Sequence, residues 1–214
     1  MALLGTSVRK TIELVLPAHC VGCGMRGAYL CAACIDGMTP ASPTTVDGAG
    51  YAFDSATSPF AYDGVARKAV HHLKFRHLRA IAPVMGEAMA AIVPASLALD
   101  AVVPVPLHRS RLRERGYNQS ALLASHVARA LGVPFLPDVL SRTTQRGTQV
   151  EARGAAARQA NVRSAFVASA GVAGLRVTLV DDVTTTGATL AAAAGALKRA
   201  GAVEVHGLTF AREG

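Results

Sequence analysis

Apolar and polar positions divide the chain into alternating strands and helices. Val177–Val180 forms an apolar run of the kind buried on both faces of a parallel sheet. The run ends on Asp181-Asp182 and passes through a hydroxyl-rich turn, Thr184-Thr185-Thr186-Gly187-Ala188-Thr189. It then enters the strong helix former Leu190–Arg199, with Gly201 just past its end. Ala101–Val105 predicts another short buried strand, Val133–Leu136 a further one, and Glu204–Phe210 the last. Leu4, Val8, Ile12, Val15 and Leu16 share one helical face that Pro17 stops. Val65–Phe75, Ile81–Val93 and Ser120–Leu131 also read as helices, the second with Met85 and Met89 as core. Ala49–Tyr62 suggests two short strands in a hairpin, and Asp36–Gly50 a linker. A polar, arginine-bearing stretch from Leu140 to Gly154 is a candidate mobile lid, after which Asn161–Phe166 returns toward the core. The alternation implies an α/β fold, a mostly parallel sheet with helices on both faces.

With 214 residues, 51% of them hydrophobic, the chain can bury one real core plus a small appendage. Its net charge of +8 is concentrated. Pro104 to Arg163 holds ten arginines against three acids, a local excess of seven. Such a segment attracts polyphosphate or nucleic acid, and arginine suits bidentate phosphate recognition. The apolar region Ile81–Leu107 is broken by Glu87, Asp100 and prolines, so no membrane span is expected. Arg9, Lys10 and Glu13 interrupt any signal-peptide pattern. The expectation is a cytoplasmic protein whose four cysteines are not in disulfides.

Two places carry chemistry. Strand, acidic pair, small-residue turn and helix together make a phosphate–sugar cradle. The turn and helix start offer backbone N–H groups and a positive dipole end to an anion. Thr185, Thr186 and Thr189 add hydroxyls, and Asp181 and Asp182 can accept from vicinal sugar hydroxyls. Cys20-x-x-Cys23 and Cys31-x-x-Cys34 are the second place. Two such knuckles suit a structural tetrahedral Zn²⁺. A redox pair or buried free thiols are the alternatives. Arg109, Arg111, Arg113 and Arg115 alternate in what reads as a loop directly after a strand, where ligands bind in open α/β sheets. His71, His72, Lys74, Arg76 and His77 read as a cationic helix end rather than metal ligands.

The Asp181–Thr189 stretch resembles the 5-phosphoribosyl-1-pyrophosphate (PRPP) motif of type I phosphoribosyltransferases. That resemblance implies ribose on Asp181 and Asp182 and the 5′-phosphate on Thr184, Thr185, Thr186, Gly187, Ala188 and Thr189. Further matches spread over almost the whole chain: Leu16–Gly24, Ala69–Arg76, Val103–Arg109, Arg115–Gln119, and Arg142 with Gln149 and Asn161. Together they resemble the ComF family, double zinc ribbon and phosphoribosyltransferase-like proteins. Where many members carry Gly-Leu-Ser in the lid, this chain has Val150-Glu-Ala-Arg-Gly154. The resemblance implies a zinc module over 1–48 and a phosphoribosyltransferase-like domain over 49–214. It also implies a link to natural competence, with single-stranded DNA and a helicase-like ATPase as partners.

Three functional readings follow. In the first, an enzyme binds PRPP with Mg²⁺; Asp181 and Asp182 stabilise charge on the ribose, and Lys74 and the arginines at 109–115 hold pyrophosphate. In the second, the same fold binds PRPP or a nucleotide as a signal while the arginines contact single-stranded DNA. Aromatics are scarce at 5% and only Tyr117 lies among those arginines, so such contact should be mainly to phosphates. In the third, the zinc module docks a partner ATPase.

Overall fold

The computed structural model describes residues 17–42, 52–143 and 165–214. The helix expected over Leu3–Leu16 and the lid residues Gln149 and Asn161 lie outside them. In chain order come α1 (Ala32–Asp36), β1 (Ser55–Thr57), β2 (Phe60–Ala61), α2 (Gly64–Phe75), α3 (Ala82–Ala90) and β3 (Ala101–Pro104). Then follow α4 (Arg109–Arg115), α5 (Gln119–Leu131), β4 (Leu140–Arg142), β5 (Phe166–Ala168), β6 (Arg176–Thr184), α6 (Ala188–Arg199) and β7 (Glu204–Arg212).

The main sheet runs β1–β7–β6–β3, and every pairing in it is parallel. Its two central strands are the long ones, as the buried apolar runs predict. Alternation along them sorts side chains onto two faces. Val102, Val180, Leu208 and Phe210 meet Val70 and Leu73 of α2, Met85 and Met89 of α3, and Leu123 and Val127 of α5. Val103, Leu179 and Val205 meet Leu190, Ala193 and Leu197 of α6 on the other face. The cysteine module belongs to the first face: Cys20, Leu30, Cys31 and Met38 join the α2 cluster.

Three expectations are corrected. β1 and β2 form no hairpin. Both run parallel to β7, Ser55–Thr57 against His206–Leu208 and Phe60-Ala61 against Ala211-Arg212. They are successive halves of one edge strand, interrupted at Ser58-Pro59. Pro59 has no N–H to donate, and Ser-Pro lacks the positive-φ residues of a two-residue hairpin turn. The supposed linker docks here too: Ala41 N donates to Pro59 O at 3.0 Å, and Pro40 bridges Phe60. Val133–Leu136 is likewise reduced to a single parallel bridge from Phe135 to Val102, since Pro134 cannot donate. Third, Arg109–Arg115 is a helix rather than a loop. His108 caps its start, and Gly116 at φ 73° ends it in the left-handed region.

β4 and β5 form a separate antiparallel ribbon, Leu140 opposite Ala168 and Arg142 opposite Phe166. It packs on α6 through Leu140 and Phe166. α3 and α5 approach closely at Gly86, where a Cβ would sit 2.6 Å from His126 Cβ and 3.2 Å from Leu123 O. Gly86→Ala should therefore push α3 off α5 and destabilise the protein by roughly 1–3 kcal/mol. Thermal or denaturant melts check this; an unchanged midpoint would show that the two helices separate freely.

Candidate functional site

β6 does not end at the acids; it carries them inside its last turns of pairing, with Asp181 opposite Thr209 and Thr184 opposite Arg212. Alternation therefore separates the two carboxylates. Asp182 is buried on the α2 side, where its Oδ1 meets Lys74 Nζ at 2.6 Å. Its Oδ2 is buried with no hydrogen-bond partner. Asp181 is half-buried beside the threonine loop. Its Oδ1 accepts from Ser120 Oγ at 2.7 Å and from the Asp182 N–H at 2.9 Å. Burial first, and the neighbouring Asp182 second, push the Asp181 carboxyl from 3.8 up to about 7. The two acids are chemically distinct: one poised near neutrality, the other paired but with a free oxygen.

The threonine loop follows. Gly187, at φ 74°, is the N-cap of α6, and no side chain caps that helix. Apart from Ala188 N, which donates to Thr186 Oγ1 at 3.4 Å, the first turn of this 12-residue helix keeps its N–H groups for a ligand. Thr184–Gly187 line a hollow of about 200 Å³ together with Ser58 and Arg212. A smaller recess of about 50 Å³ joins Asp181 to the loop from Thr184 through Ala188 and Thr189. The structure thus brings Asp181 and all six loop residues together. Arg212 was missed by sequence reasoning. Its signal was its place at the carboxyl end of the last strand, beside the loop, where open α/β sheets bind ligands.

The expected pyrophosphate set divides. Arg111, Arg115 and Lys74 line one hollow of about 330 Å³ with Phe75, His77 and Gln119. Arg109 and Arg113 are exposed on α4 but are not among the residues lining it. Lys74 holds Asp182 as well. The Arg115–Gln119 motif is largely structural. Arg115 donates to Gln119 Oε1, and the buried Tyr117 hydroxyl donates to Leu73 O. Asn118 donates to Val105 O at 3.0 Å and caps α5 by accepting from Ser120 N. That cap sets Ser120 against Asp181, a contact with no local sign in the residue pattern. Of the lid residues, Arg142 lies on β4 with its guanidinium 5.2 Å from the Phe166 ring centroid.

The sulfurs of Cys20, Cys23, Cys31 and Cys34 all lie within 4.8 Å of one another. Cys23 and Cys31 sulfurs are 3.8 Å apart, close to the edge of a tetrahedron with Zn–S about 2.3 Å. Burial opposes ionisation of Cys20, yet backbone N–H donors at Cys23, Cys31 and Gly22 hold its pKa down at about 6. Cys34 is pushed up to about 12, first by its hydrogen bond to Cys20 and then by burial. Four thiols this close cannot all ionise without a cation, and a divalent metal relieves that conflict. The donor set fits zinc.

A profile of the phosphoribosyl transferase domain family matches residues 118–214, which begin at the α5 cap and include the acids and the loop. Competence protein F of Haemophilus influenzae is 38% identical over 118 residues, 53% of this chain and 50% of that protein. DNA utilization protein YhgH is 37% identical over 143 residues in Salmonella typhi and 36% in Escherichia coli K12, in each case 64% of this chain and 63% of the relative. Over these stretches the chain is similar to both proteins, in line with the resemblance to the ComF family. The parallel sheet with helices on both faces carries the stretch that matches the phosphoribosyl transferase domain. The matched stretches span only half to under two thirds of the relatives' own lengths. Glutamine PRPP amidotransferase from B. subtilis is 28% identical, with a TM-score of 0.43 over 59% of this chain and 25% of that one, too loose to bear on function. Among the described residues, no helix is long and apolar enough to cross a membrane.

Metal analysis of the purified protein should find one zinc per chain, and Cys31→Ser should abolish it and lower the melting temperature. Full zinc content in that variant would show that the knuckles are not the site. Asp181 supplies a pH test. The folded state keeps its proton up to about 7, whereas an ordinary carboxyl releases it near 3.8. Between those values the folded state binds more protons, so this group lowers stability as pH rises. Asp181→Asn removes that slope. Melts between about pH 5 and pH 8 should show the variant gaining on wild type as pH rises. A constant difference would mean Asp181 titrates normally.

Proposed function

We propose that this chain binds PRPP, or a closely related ribose phosphate, at the carboxyl end of β6. The observation that carries the reading is the uncapped start of α6 facing the threonine loop, with Asp181 in the same recess. On this reading the 5′-phosphate accepts from loop and helix N–H groups and from Thr185, Thr186 and Thr189. Vicinal ribose hydroxyls donate to Asp181 and Asp182. The unpartnered, buried Asp182 Oδ2 is the feature that asks for such a donor or for a cation. Mg²⁺, when bound with PRPP, neutralises pyrophosphate charge, and Asp181 and Asp182 are the residues that fit it. Pyrophosphate lies toward Lys74, Arg111 and Arg115. The acids then face the ribose carbon from which pyrophosphate departs, which supports transfer to an acceptor as a second activity of one site.

The relatives' names, competence protein and DNA utilization protein, support a role in handling DNA, with the exposed arginines of α4 as its electrostatic surface. A helicase-like partner rests on the family resemblance alone, and a cytoplasmic setting on the expectations drawn from the sequence.

Calorimetric titration of zinc-replete protein with PRPP and Mg²⁺ should give micromolar binding. Asp181→Asn/Asp182→Asn should weaken it by at least about tenfold, the effect of losing one or more charged hydrogen bonds. Absence of heat with folded wild type, or full affinity in the double variant, would sink the ribose assignment.

A further inference from the structure

Phe75 is 59% exposed at the end of α2, the one phenylalanine so exposed among the described residues. Nothing in the ribose-phosphate reading uses it. A lone exposed apolar side chain is ordinary, but its surroundings are not. The Arg115 guanidinium lies 5.3 Å from its ring centroid, and the His71 ring is tilted against it at 5.0 Å. Lys74, His77, Arg111 and Arg115 surround the hollow it lines, against one acid, Glu114. His77 is the only non-glycine residue with positive φ among the described residues, at 53°, so the turn carrying these groups out of α2 is held in a sparsely populated conformation. Arg109 and Arg113 extend the positive charge along the exposed α4, beyond what the phosphate of a single nucleotide would need.

We propose that Phe75 is a stacking platform for an unpaired base of single-stranded DNA, whose phosphates run along Arg111, Arg115 and the rest of α4. A flat apolar ring recognises the face of a base, and the guanidiniums recognise the strand's charge. This rests on the DNA-handling reading and revises one expectation. Tyr117 is not available to stack: it is buried, with Arg79 4.3 Å over its ring. Phe75, distant from the arginines in sequence, takes that place, so contact is not to phosphates alone.

The chain has no tryptophan, so Phe75→Trp creates a lone reporter. Full-length, zinc-replete protein is titrated with labelled oligo-dT by anisotropy across a range of salt. Phe75→Ala should weaken binding by about tenfold, the order expected for one stacked base, with the salt slope unchanged. Arg111→Ala should instead flatten the slope. Phe75→Trp should retain affinity, and its fluorescence should be quenched by oligo-dT but not by an abasic oligonucleotide of equal length. Wild-type affinity in Phe75→Ala, or an unquenched tryptophan at saturation, would overturn the platform while leaving DNA binding standing. Equal quenching by free thymidine monophosphate at matched concentration would assign the site to a small nucleotide and overturn the strand. No binding of oligo-dT by wild type at low salt would remove both the platform and the DNA reading, leaving the PRPP titration unaffected.

Discussion

One ion pair, Lys74 to Asp182 at 2.6 Å, ties the last turn of α2 to the strand that carries the acidic pair. Three consecutive residues of that turn do different work. Leu73 is fully buried, and its carbonyl accepts from Tyr117, which fixes the segment between α4 and α5. Lys74 neutralises a carboxylate that burial would otherwise disfavour. Phe75 is turned out to solvent. Removing one partner of a buried pair costs roughly 3–5 kcal/mol, and the lower end fits here because Lys74 keeps some contact with water. The pair is thus less a source of stability than a means of holding a charged oxygen in place with its second lone-pair set unused.

That pairing also explains why adjacent carboxylates behave differently. Strand alternation sends Asp182 to the lysine and leaves Asp181 to the threonine loop. For Asp181, burial beside a second acid outweighs a hydroxyl, a backbone N–H and the Lys74 charge, so its carboxyl is pushed up to about 7. A ligand bringing hydroxyl donors and positive charge meets one acid ready to ionise and another with an idle oxygen.

How much of this was legible in the sequence depended on range. The strand, acidic pair, threonine turn and helix occupy one contiguous stretch, and the four cysteines lie within fifteen residues, so local pattern sufficed for both. The edge of the sheet was not legible, because β1 and β2 find their partner about 150 residues away on β7. Two short strands with a small gap look like a hairpin until the distant partner is known. The arginine run was misread as a loop because its apolar content is a single leucine, Leu112, and helix periodicity needs an apolar stripe to show. Its terminators, His108 and Gly116, carried the information instead. Lys74 was singled out for its charge, but its partner is more than a hundred residues away and no spacing rule reaches it.

The same geometry makes the two hollows unequal neighbours rather than independent ones. Lys74 lines the Phe75 hollow and holds Asp182, and a single ammonium cannot satisfy both fully. An anion drawn into the hollow competes with Asp182 for that charge. A cation or hydroxyl donor delivered to Asp182 competes with Lys74 for the carboxylate and frees it toward the hollow. Such competition is reciprocal: whatever one ligand does to the affinity of the other, the second must do to the first. The sign follows from the charges. A ligand that arrives at Asp182 with its own positive charge leaves Lys74 available and favours an anion in the hollow. A bare anion in the hollow, by contrast, strips Asp182 of its partner and raises the cost of its buried charge. If both ligands bind as proposed, pyrophosphate and the strand's phosphates compete for Lys74, Arg111 and Arg115, and the two are coupled through one lysine without any movement of the sheet.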